Sequence, residues 1–307
     1  MVSLPDFLVR LSPVSDLKVY LKSQQVLVDD ALKSFLPGVT TRPRAIHQGM
    51  HYSVFAGGKR LRPILTLAAA EACGGDPSAA LAPACAVEVM HTYSLVHDDL
   101  PSMDDDDLRR GRPTAHKVFG EGMAVLIGDA LLTESFTILA QTEPTKRYSL
   151  KDFILEFSEC GGSKKLIGGQ VLDLEGEGQA LTKTQLVRIH ENKTAALLTT
   201  SLRLGGMTAN ATPRQLEALT NFGYHLGLAF QVVDDILDVT QSTETLGKTA
   251  GKDEAVDKAT YPAILGLEKS KKEAARLTKK ALNALAPLGR NGHRLEEIAH
   301  SLLDREF

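Results

Sequence analysis

Residues 216–238 read LEALTNFGYHLGLAFQVVDDILD, and this stretch carries the clearest structural signal in the chain. Apolar residues recur every three or four positions for about six turns, which is typical of one buried face of an α-helix. The positions are Leu216, Leu219, Gly223, Leu226, Phe230, Val233 and Leu237. Alternating patterns typical of strands are essentially absent elsewhere. We therefore predict an all-α fold rather than a βαβ fold.

Proline and glycine clusters divide the rest of the chain into segments of helical length. We predict further helices over about 79–99, 125–139, 153–174 and 185–204. The first of these is apolar on most sides and should be buried, and the last should stop at Gly205-Gly206. The first 40 and last 50 residues are typical of amphipathic surface helices. With no linker or repeat, we expect one domain over 1–307, a bundle of roughly ten or more helices.

Composition excludes several classes of function. The 307 residues are 43% hydrophobic and 24% charged, ordinary values for a soluble globular protein. The net charge of −3 carries no basic bias, so we expect no nucleic-acid partner. No apolar run reaches about 18 residues, so we expect no stable membrane insertion. Cys73, Cys85 and Cys160 lack pairing or metal-ligand spacing and are typical of reduced core thiols, which favours a cytoplasmic location.

An acidic cluster at residues 97–107, HDDLPSMDDDD, closes the predicted apolar helix with six aspartates in ten positions. Such carboxylates would repel one another if buried without a cation. Mg²⁺ binds hard oxygen ligands and takes one or two carboxylates together with substrate phosphate oxygens. Asp98 and Asp104 lie about 240° apart on a regular helix, so we expect a kink at Pro101 that wraps both around one metal cluster. The pattern predicts half of a Mg²⁺–diphosphate site, with a solvated acidic loop as the alternative.

A second acidic cluster, Asp234-Asp235-x-x-Asp238, lies inside the long apolar helix. Asp234 and Asp238 are four apart and stack on one face, with Asp235 about 100° round the helix beside them. Like charges at this spacing are unfavourable unless a cation or a partner is present. An exposed acidic face is the alternative. Two such clusters at the ends of two apolar helices favour a shared cation site.

Two basic segments are suited to the anionic end of a diphosphate. GGKRLRP at 57–63 places Lys59, Arg60 and Arg62 after two flexible glycines, and it lacks the GxxxxGK[ST] pattern of a P-loop. RRGR at 109–112 follows the first acidic cluster, and arginine forks pair well with phosphate oxygens. Either segment taken alone is more typical of a solubilising turn.

Together these motifs resemble the trans-isoprenyl diphosphate synthase (polyprenyl synthetase) family over roughly 55–262. Both acidic motifs match, and LRRG follows the first at 108–111. The remaining pieces are, in order, GGQxxD at 168–173, Lys193-Thr194, Gly247-Lys248, GKD at 251–253 and DKATYP at 257–262. Each piece is a weak signal, but seven in this order are very specific. The resemblance implies a helix bundle of the isoprenoid synthase type around a central hydrophobic cavity.

The resemblance also implies a role for each matching position. The residues implied to hold Mg²⁺, about three ions per active site, are Asp98, Asp99, Asp104, Asp234, Asp235 and Asp238. Those implied to bind the allylic diphosphate are Arg109, Lys193, Thr194, Gln231, Lys248 and Lys258. Those implied to bind isopentenyl diphosphate are Lys59, Arg62, His91 and Arg110, although His91 alone is more typical of a core histidine. The implied catalytic set is Asp98, Asp104, Arg109, Lys193, Asp234 and Lys248.

The implied chemistry needs no Ser, Cys or Lys nucleophile, and the sequence has no triad pattern. Mg²⁺ and cationic side chains would stabilise the departing diphosphate, so that an allylic carbocation forms. The double bond of isopentenyl diphosphate attacks this cation, and the proton then lost passes to the released diphosphate. Gln170 and Asp173 would line the reaction centre, and an apolar cavity would exclude water, which quenches the cation.

Product length is predicted from the residues one turn before Asp98. Ser94 lies beneath Asp98 on the same helix face, and the bulky Tyr93 is next to it. An aromatic residue near this position limits chain length in the family, and the Tyr93-Ser94 pair resembles the bacterial farnesyl type. We favour a C15 product, farnesyl diphosphate, made from dimethylallyl and geranyl diphosphates, with C20 geranylgeranyl diphosphate as the alternative. Tyr93 as a plain core aromatic stays open.

Two other functions compete for the same motifs. Terpene cyclases share the implied fold but usually lack a second full DDxxD motif and basic residues such as Lys59 and Arg62, which are present here. A non-catalytic regulatory subunit of a prenyl synthase would tend to lose part of the aspartate motifs, and both are intact. The family works as homodimers, so the resemblance also implies a homodimer.

Overall fold

The structure is a computed structural model that describes residues 16–240 and 259–303. Within these ranges the regular structure is helical apart from one short hairpin. The α-helices are α1 (Leu17–Phe35), α2 (Arg44–Val54), α3 (Leu61–Ala72), α4 (Leu81–Asp98), α5 (Ala115–Phe119), α6 (Glu121–Leu139), α7 (Leu150–Gly161), α8 (Leu166–Gly176), α9 (Lys183–His190), α10 (Ala196–Thr208), α11 (Pro213–Thr240), α12 (Tyr261–Leu265), α13 (Leu267–Ala284) and α14 (His293–Leu303). The other elements are 3₁₀ helices at Pro77–Ala80 and Ala286–Gly292, a π turn at Glu191–Ala195, and strands β1 (Leu108–Arg109) and β2 (Arg112–Pro113). The predicted all-α class is confirmed.

Two hydrophobic clusters fill the interior, one built around α11 and the other around α4. α11 packs against α13 and α10, and its apolar stripe supplies much of the first cluster. α4 is buried on most of its circumference, as its run of Ala, Val, Cys and Met predicts, and it packs against α6, α3 and α10. The two acidic motifs therefore stand at the C-terminal ends of the two central helices of the core.

The predicted stop at Gly205-Gly206 is wrong, because α10 continues to Thr208. These glycines serve close packing between helices. A side chain at Gly205 would collide with the backbone carbonyl oxygen of Thr66 on α3, and one at Gly206 would meet Leu219 of α11. The missing Cβ atoms let α10 lie directly on both neighbours, a reason for glycine that a single sequence does not distinguish from a helix end.

Two other predicted helices are interrupted. The segment over 153–174 is divided into α7 and α8, with a break around Gly162 to Lys165, where Lys165 leaves helical geometry at φ −127° and ψ −104°. The segment over 185–204 begins earlier, at Lys183, because Thr182 and Gln185 form a capping box. It then widens into the π turn at Glu191–Ala195 before α10. Both interruptions lie beside residues of the candidate site.

The terminal helices lie at the surface, as predicted for the described parts of both ends. α1, α13 and α14 bury one stripe each and expose the rest. Two segments, Pro77–Asp98 and Glu121–Leu139, have the length and apolar content to cross a membrane, with mean hydropathies of 1.2 and 1.5. The first is the core helix α4 with its preceding turn, and 67% of it is buried. The second, α6, is only 39% buried, because it packs on α4 and α2 with one face.

Candidate active site

The first acidic motif is shaped by the turn that follows α4. The helix ends at Asp98 instead of continuing through a kink at Pro101, so the predicted kink is wrong. The backbone N–H of Asp104 donates to the carbonyl oxygen of Asp98 at 2.8 Å, which closes the turn and brings the two carboxylates together. Burial, with a smaller contribution from Asp104, raises the pKa of Asp98 to about 6, while Lys193 opposes the shift. The predicted convergence of Asp98 and Asp104 thus arises from a helix end.

Asp99 pairs with Arg109 of β1 and so anchors the hairpin. Its side chain is buried, and its Oδ1 accepts hydrogen bonds from Nε of Arg109 at 2.9 Å and from Nη2 of the same guanidinium. Burial raises the pKa of Asp99, and the contact with Arg109 opposes that shift. Asp106 lies 3.4 Å from the same Arg109 Nη2. Arg109, implied as a ligand of the allylic diphosphate, is therefore held at the rim of the first motif by two carboxylates.

The second acidic motif lies on the last turns of α11, where Asp235 and Asp238 are buried. Asp235 has a defined structural role: its Oδ1 accepts from Nε2 of Gln231 at 3.1 Å, and its Oδ2 accepts from the backbone N–H of Tyr261 at 2.9 Å. Asp235 thereby ties α11 to the first residue of α12. Sequence reasoning missed this contact, because the two residues are 26 positions apart.

The π turn places Lys193 between the first acidic motif and α8. Its Nζ lies 2.7 Å from Oδ2 of Asp173 and 4.0 Å from Oδ2 of Asp98. Two glycines make the room: a Cβ at Gly169 would meet the backbone nitrogen of Lys193, and one at Gly227 would come within 2.5 Å of Cα of Ala195. π turns inside helices are frequently found at functional sites. In the GGQ motif at 168–170, the second glycine, Gly169, admits this turn, a role that the sequence prediction for Gln170 did not include.

Thr194 connects the π turn to the second motif. Its hydroxyl donates to Oε1 of Gln231 at 3.1 Å, and Gln231 in turn donates to Asp235. The chain of contacts from Lys193 and Thr194 to Asp235 brings together most of the described residues predicted to serve the allylic diphosphate. Lys248 and Lys258, the other two predicted ligands, lie outside the described residues.

A cationic pocket, composed of Arg62, His91 and Arg110, forms the other half of the site. Burial and, less strongly, the charge of Arg110 lower the pKa of Arg62 to about 10, although Glu88 opposes the shift. Burial followed by Arg62 and Arg110 lowers the pKa of His91 well below its usual range. Nε of Arg62 is buried and has no hydrogen-bond partner within the described residues. Mutually repelling, incompletely satisfied donors of this kind are typical of a site for an anion.

Two further predicted residues line the approach to these half-sites. Lys59 is exposed at the end of the loop that leads into α3, next to the cationic pocket in sequence. Nε2 of Gln170 on α8 is buried without a hydrogen-bond partner in the part of the chain described. Asp173, one turn later on α8, is occupied by Lys193. The structure therefore leaves Gln170 with a donor available near the contact between Lys193 and Asp173.

Tyr93 lies on α4 beneath Asp98, 4% exposed and edge-on to His97, with ring centroids 5.9 Å apart. Burial, then Asp98 and the Cys160 thiol, raise the pKa of Tyr93 to about 12. Ser94 donates to the backbone oxygen of His91 at 2.9 Å. A cleft with an empty volume of about 410 Å³, including its open mouth, follows another face of α4, and Tyr93 and Ser94 do not line it.

A separate group of possible metal ligands lies just beyond the first motif. Asp105, Asp107 and His116 each offer one ligand atom, and these three atoms lie within 4.8 Å of one another. Asp107 is already paired with Lys117 at 2.6 Å. None of the three is a predicted Mg²⁺ ligand, so this group is distinct from the carboxylates of the two motifs.

Similarity to known proteins agrees with this geometry. The family model described as Polyprenyl synthetase matches residues 43–288. This chain belongs to the polyprenyl synthetase family. It is 48% identical over 270 residues to the chloroplastic geranylgeranyl pyrophosphate synthase of Capsicum annuum, covering 87% of this chain and 73% of that one. It is 45% identical over 261 residues to the farnesyl diphosphate synthase of Geobacillus stearothermophilus, covering 83% and 86%.

Solved structures agree with this assignment. The geranylgeranyl pyrophosphate synthetase from Pyrococcus horikoshii Ot3 matches this polyprenyl synthetase with a TM-score of 0.86 at 30% identity, covering 94% of this chain and 98% of that one. The predicted family, fold class and enzyme class are confirmed: the chain is a prenyltransferase of a family that is typically Mg²⁺-dependent. Relatives named for farnesyl and for geranylgeranyl products both match, so both predicted product lengths are consistent with the comparisons. The roles of individual residues stay predictions.

Proposed function

We propose that this chain condenses isopentenyl diphosphate with dimethylallyl and geranyl diphosphates to give farnesyl diphosphate. The observation that carries the proposal is a pair of unlike half-sites, each of which has a residue on α4: His91 in the cationic pocket and Asp98 in the first acidic motif. In the cationic pocket, Nε of Arg62 is buried with no hydrogen-bond partner among the described residues, and in the first acidic motif burial raises the pKa of Asp98 although Lys193 opposes the shift. A reaction between two diphosphates, only one of which leaves, uses one half-site of each kind.

The carboxylates fit magnesium. Asp98, Asp104, Asp234 and Asp238 offer hard oxygen atoms, which Mg²⁺ prefers. Burial and the proximity of Asp104 disfavour the ionised form of Asp98, and a bound cation reverses that cost. These four residues would hold the ions, about three per site together with the diphosphate. When bound, Mg²⁺ neutralises the charge that develops on the departing diphosphate.

The other residues of the site have three proposed roles: to bind the allylic diphosphate, to bind isopentenyl diphosphate and to exclude water. Arg109, Lys193, Thr194 and Gln231 line the acidic side and would hold the leaving diphosphate of the allylic substrate. Lys59 and the cationic pocket would bind the diphosphate that stays on isopentenyl diphosphate. The apolar residues that bury α4 would exclude water from the allylic cation.

Product length rests on Tyr93. Its ring is buried on α4, five residues before Asp98, and a growing prenyl chain that descended along α4 from the first motif would meet it. This favours a C15 product. The second candidate is the C20 product, favoured by the 48% identity to a protein named geranylgeranyl pyrophosphate synthase.

Replacement of the floor residue, Tyr93→Ala, should lengthen the product beyond C15, because it removes the ring that would stop the chain. The measurement is the chain length of the alcohols obtained by dephosphorylation. The matched control is Tyr148→Ala, which removes a partly buried ring that donates to the backbone oxygen of Ala211. Unchanged C15 product from Tyr93→Ala would exclude Tyr93 as the floor. Longer chains from both variants would point to a general loosening of the fold.

The exposed face of α6 supports a homodimer. Val125 and Leu126 are 41% and 55% exposed, and the helix has a mean hydropathy of 1.5. A second copy of the chain would cover this face. One relative, 48% identical, is named as the large subunit of a heterodimeric enzyme from Arabidopsis thaliana, so a different partner is the competing outcome. Sedimentation of the purified chain distinguishes the two outcomes, since a monomer alone in solution would contradict the homodimer.

A cytoplasmic location and the absence of membrane insertion and of nucleic-acid partners stay expectations.

The first experiment incubates the protein with Mg²⁺, isopentenyl diphosphate and dimethylallyl diphosphate. A C15 alcohol after dephosphorylation supports the proposed reaction and its product. A C20 alcohol keeps the reaction and replaces the product. No condensation with dimethylallyl or geranyl diphosphate by folded protein would overturn the proposal in favour of a non-catalytic subunit.

A further inference from the structure

Arg60 differs from the two basic residues beside it in sequence. Lys59 is exposed and Arg62 belongs to the cationic pocket. Arg60, in contrast, is 3% exposed and points into the protein. Its Nε lies 2.7 Å from Oδ1 of Asp29 on α1, and its Nη1 lies 2.9 Å from Oε1 of Glu88 on α4. Its Nη2 donates to the carbonyl oxygen of Val54 at 2.8 Å. The three donating nitrogens of one guanidinium thus reach α1, α4 and the end of α2.

The backbone of Arg60 is in the left-handed region, with φ 52° and ψ 37°. A residue with a Cβ adopts this conformation only where surrounding contacts enforce it. Here the contacts are those of its own side chain. Arg60 is also the residue just before α3, so its backbone angles set the direction of Lys59 relative to Arg62 on the first turn of that helix.

Three carbonyl oxygens of the loop before Arg60 accept hydrogen bonds from side chains. Nη1 of Arg112 donates to Phe55 at 3.3 Å, Nε2 of Gln25 donates to Gly58 at 3.0 Å, and Arg110 donates to Gly57. A Cβ at Gly58 would collide with the guanidinium of Arg110, so that glycine lets the arginine cross the loop. The loop, the hairpin arginines and Arg60 therefore form one connected structure.

Glu88 connects this structure to the pocket. It is 3% exposed and lies three residues before His91 on α4, so one rigid helix carries both an anchor for Arg60 and a predicted ligand of isopentenyl diphosphate. The spacing between the loop and His91 is then set by a buried ion pair. Lysine would not reproduce it, because a single ammonium cannot direct three donors along the fixed fork of a guanidinium.

We propose that Arg60 is a positioning residue for the isopentenyl diphosphate site. The Asp29–Arg60–Glu88 ion network holds the loop so that Lys59 and Arg62 face the same diphosphate as His91 and Arg110. Arg60 itself does not touch substrate. The inference rests on the proposed function, which assigns isopentenyl diphosphate to the cationic pocket.

The test compares Arg60→Lys with wild type in two measurements. Steady-state kinetics give KM for isopentenyl diphosphate and KM for geranyl diphosphate separately. Calorimetry in the presence of EDTA measures binding of isopentenyl diphosphate without metal. We expect KM and Kd for isopentenyl diphosphate to rise about tenfold, the size of one charge-assisted hydrogen bond. KM for geranyl diphosphate should change less than about twofold, because Arg60 has no contact with the acidic half-site.

The matched control is Arg203→Lys. Arg203 also forms an ion pair, 2.8 Å from Glu156, but its side chain is 26% exposed and it connects α10 to α7 and α11 away from the loop. It should leave both KM values unchanged. If Arg60→Lys fails to fold, Asp29→Asn tests the same network, since Asp29 is 31% exposed and its loss leaves the Arg60–Glu88 pair intact.

The outcomes separate this inference from the function on which it rests. A selective rise of KM and Kd for isopentenyl diphosphate supports the positioning role. A smaller rise is expected in Asp29→Asn, because this variant keeps the arginine fork. Equal changes in both KM values, or a lower melting temperature with unchanged KM, would reduce Arg60 to a structural residue. A folded wild-type protein that neither condenses nor binds isopentenyl diphosphate would overturn the proposed function and this inference together.

Discussion

The cationic pocket and the first acidic motif share α4 but are built in opposite ways. The pocket is preformed: its loop is anchored by the buried Arg60–Glu88 pair, and Arg62 and His91 are held close despite their repulsion. The acidic motif is assembled by a single turn, and burial raises the pKa of Asp98 although Lys193 opposes the shift. The difference supports the proposal that one half-site is complete as folded, whereas the other would be completed by a cation.

The largest expected effect is on the acidic side. Asp98→Asn removes one charge and one ligand from the proposed metal cluster, so kcat should fall about 10²- to 10³-fold. Binding of isopentenyl diphosphate in EDTA should be unchanged, because the pocket does not depend on Asp98. The control Asp30→Asn changes an exposed carboxylate on α1 and should have no effect. Loss of metal-free binding in Asp98→Asn would show that the two halves are not independent.

On the cationic side, Arg62→Gln should raise KM for isopentenyl diphosphate about 10- to 100-fold, corresponding to the ~1.5–3 kcal/mol of a hydrogen bond to a charged group. Metal affinity, followed by Mn²⁺ binding in electron paramagnetic resonance, should stay as in wild type. Arg214→Gln, a change at an exposed arginine, is the matched control. A weaker metal site in Arg62→Gln would contradict the proposed division.

A smaller effect is expected from Gly58→Ala. The new Cβ would meet the guanidinium of Arg110, and the backbone has φ +118°, so KM for isopentenyl diphosphate should rise about two- to fivefold. Gly57→Ala is the control: its φ is +98°, but nothing lies within 4 Å of the added Cβ. Equal effects of the two changes would assign the loss to backbone strain and not to displacement of Arg110.

The smallest expected effect is an uptake of protons when isopentenyl diphosphate binds. The pKa of His91 is lowered well below 6.5 in the folded protein, so the ring is neutral near neutral pH. A bound diphosphate favours the charged imidazole and raises this pKa, so isopentenyl diphosphate should bind with uptake of a fraction of a proton near pH 6. Calorimetry in buffers of different ionisation enthalpy measures the uptake. The uptake should disappear in His91→Asn, and its persistence there would place the proton elsewhere.

The sequence by itself determined the features that depend on local spacing. The period of α11, the apolar content of α4 and the two aspartate motifs all follow from residues within a few turns of one another. These features sufficed for the fold class, the family and most of the candidate site, because the motifs stand in a fixed order along helices whose ends are marked in the chain.

Only the tertiary structure decided the features that depend on distant partners. Arg60 turns inward because it pairs with Asp29 and Glu88, which are 31 and 28 residues away in the sequence. No local pattern distinguishes it from Lys59. The π turn that carries Lys193 exists because Gly169 removes a side chain from a neighbouring helix. Contacts of this kind are set by packing in three dimensions, whereas the periodicity of a single sequence reports only which face of a helix is buried.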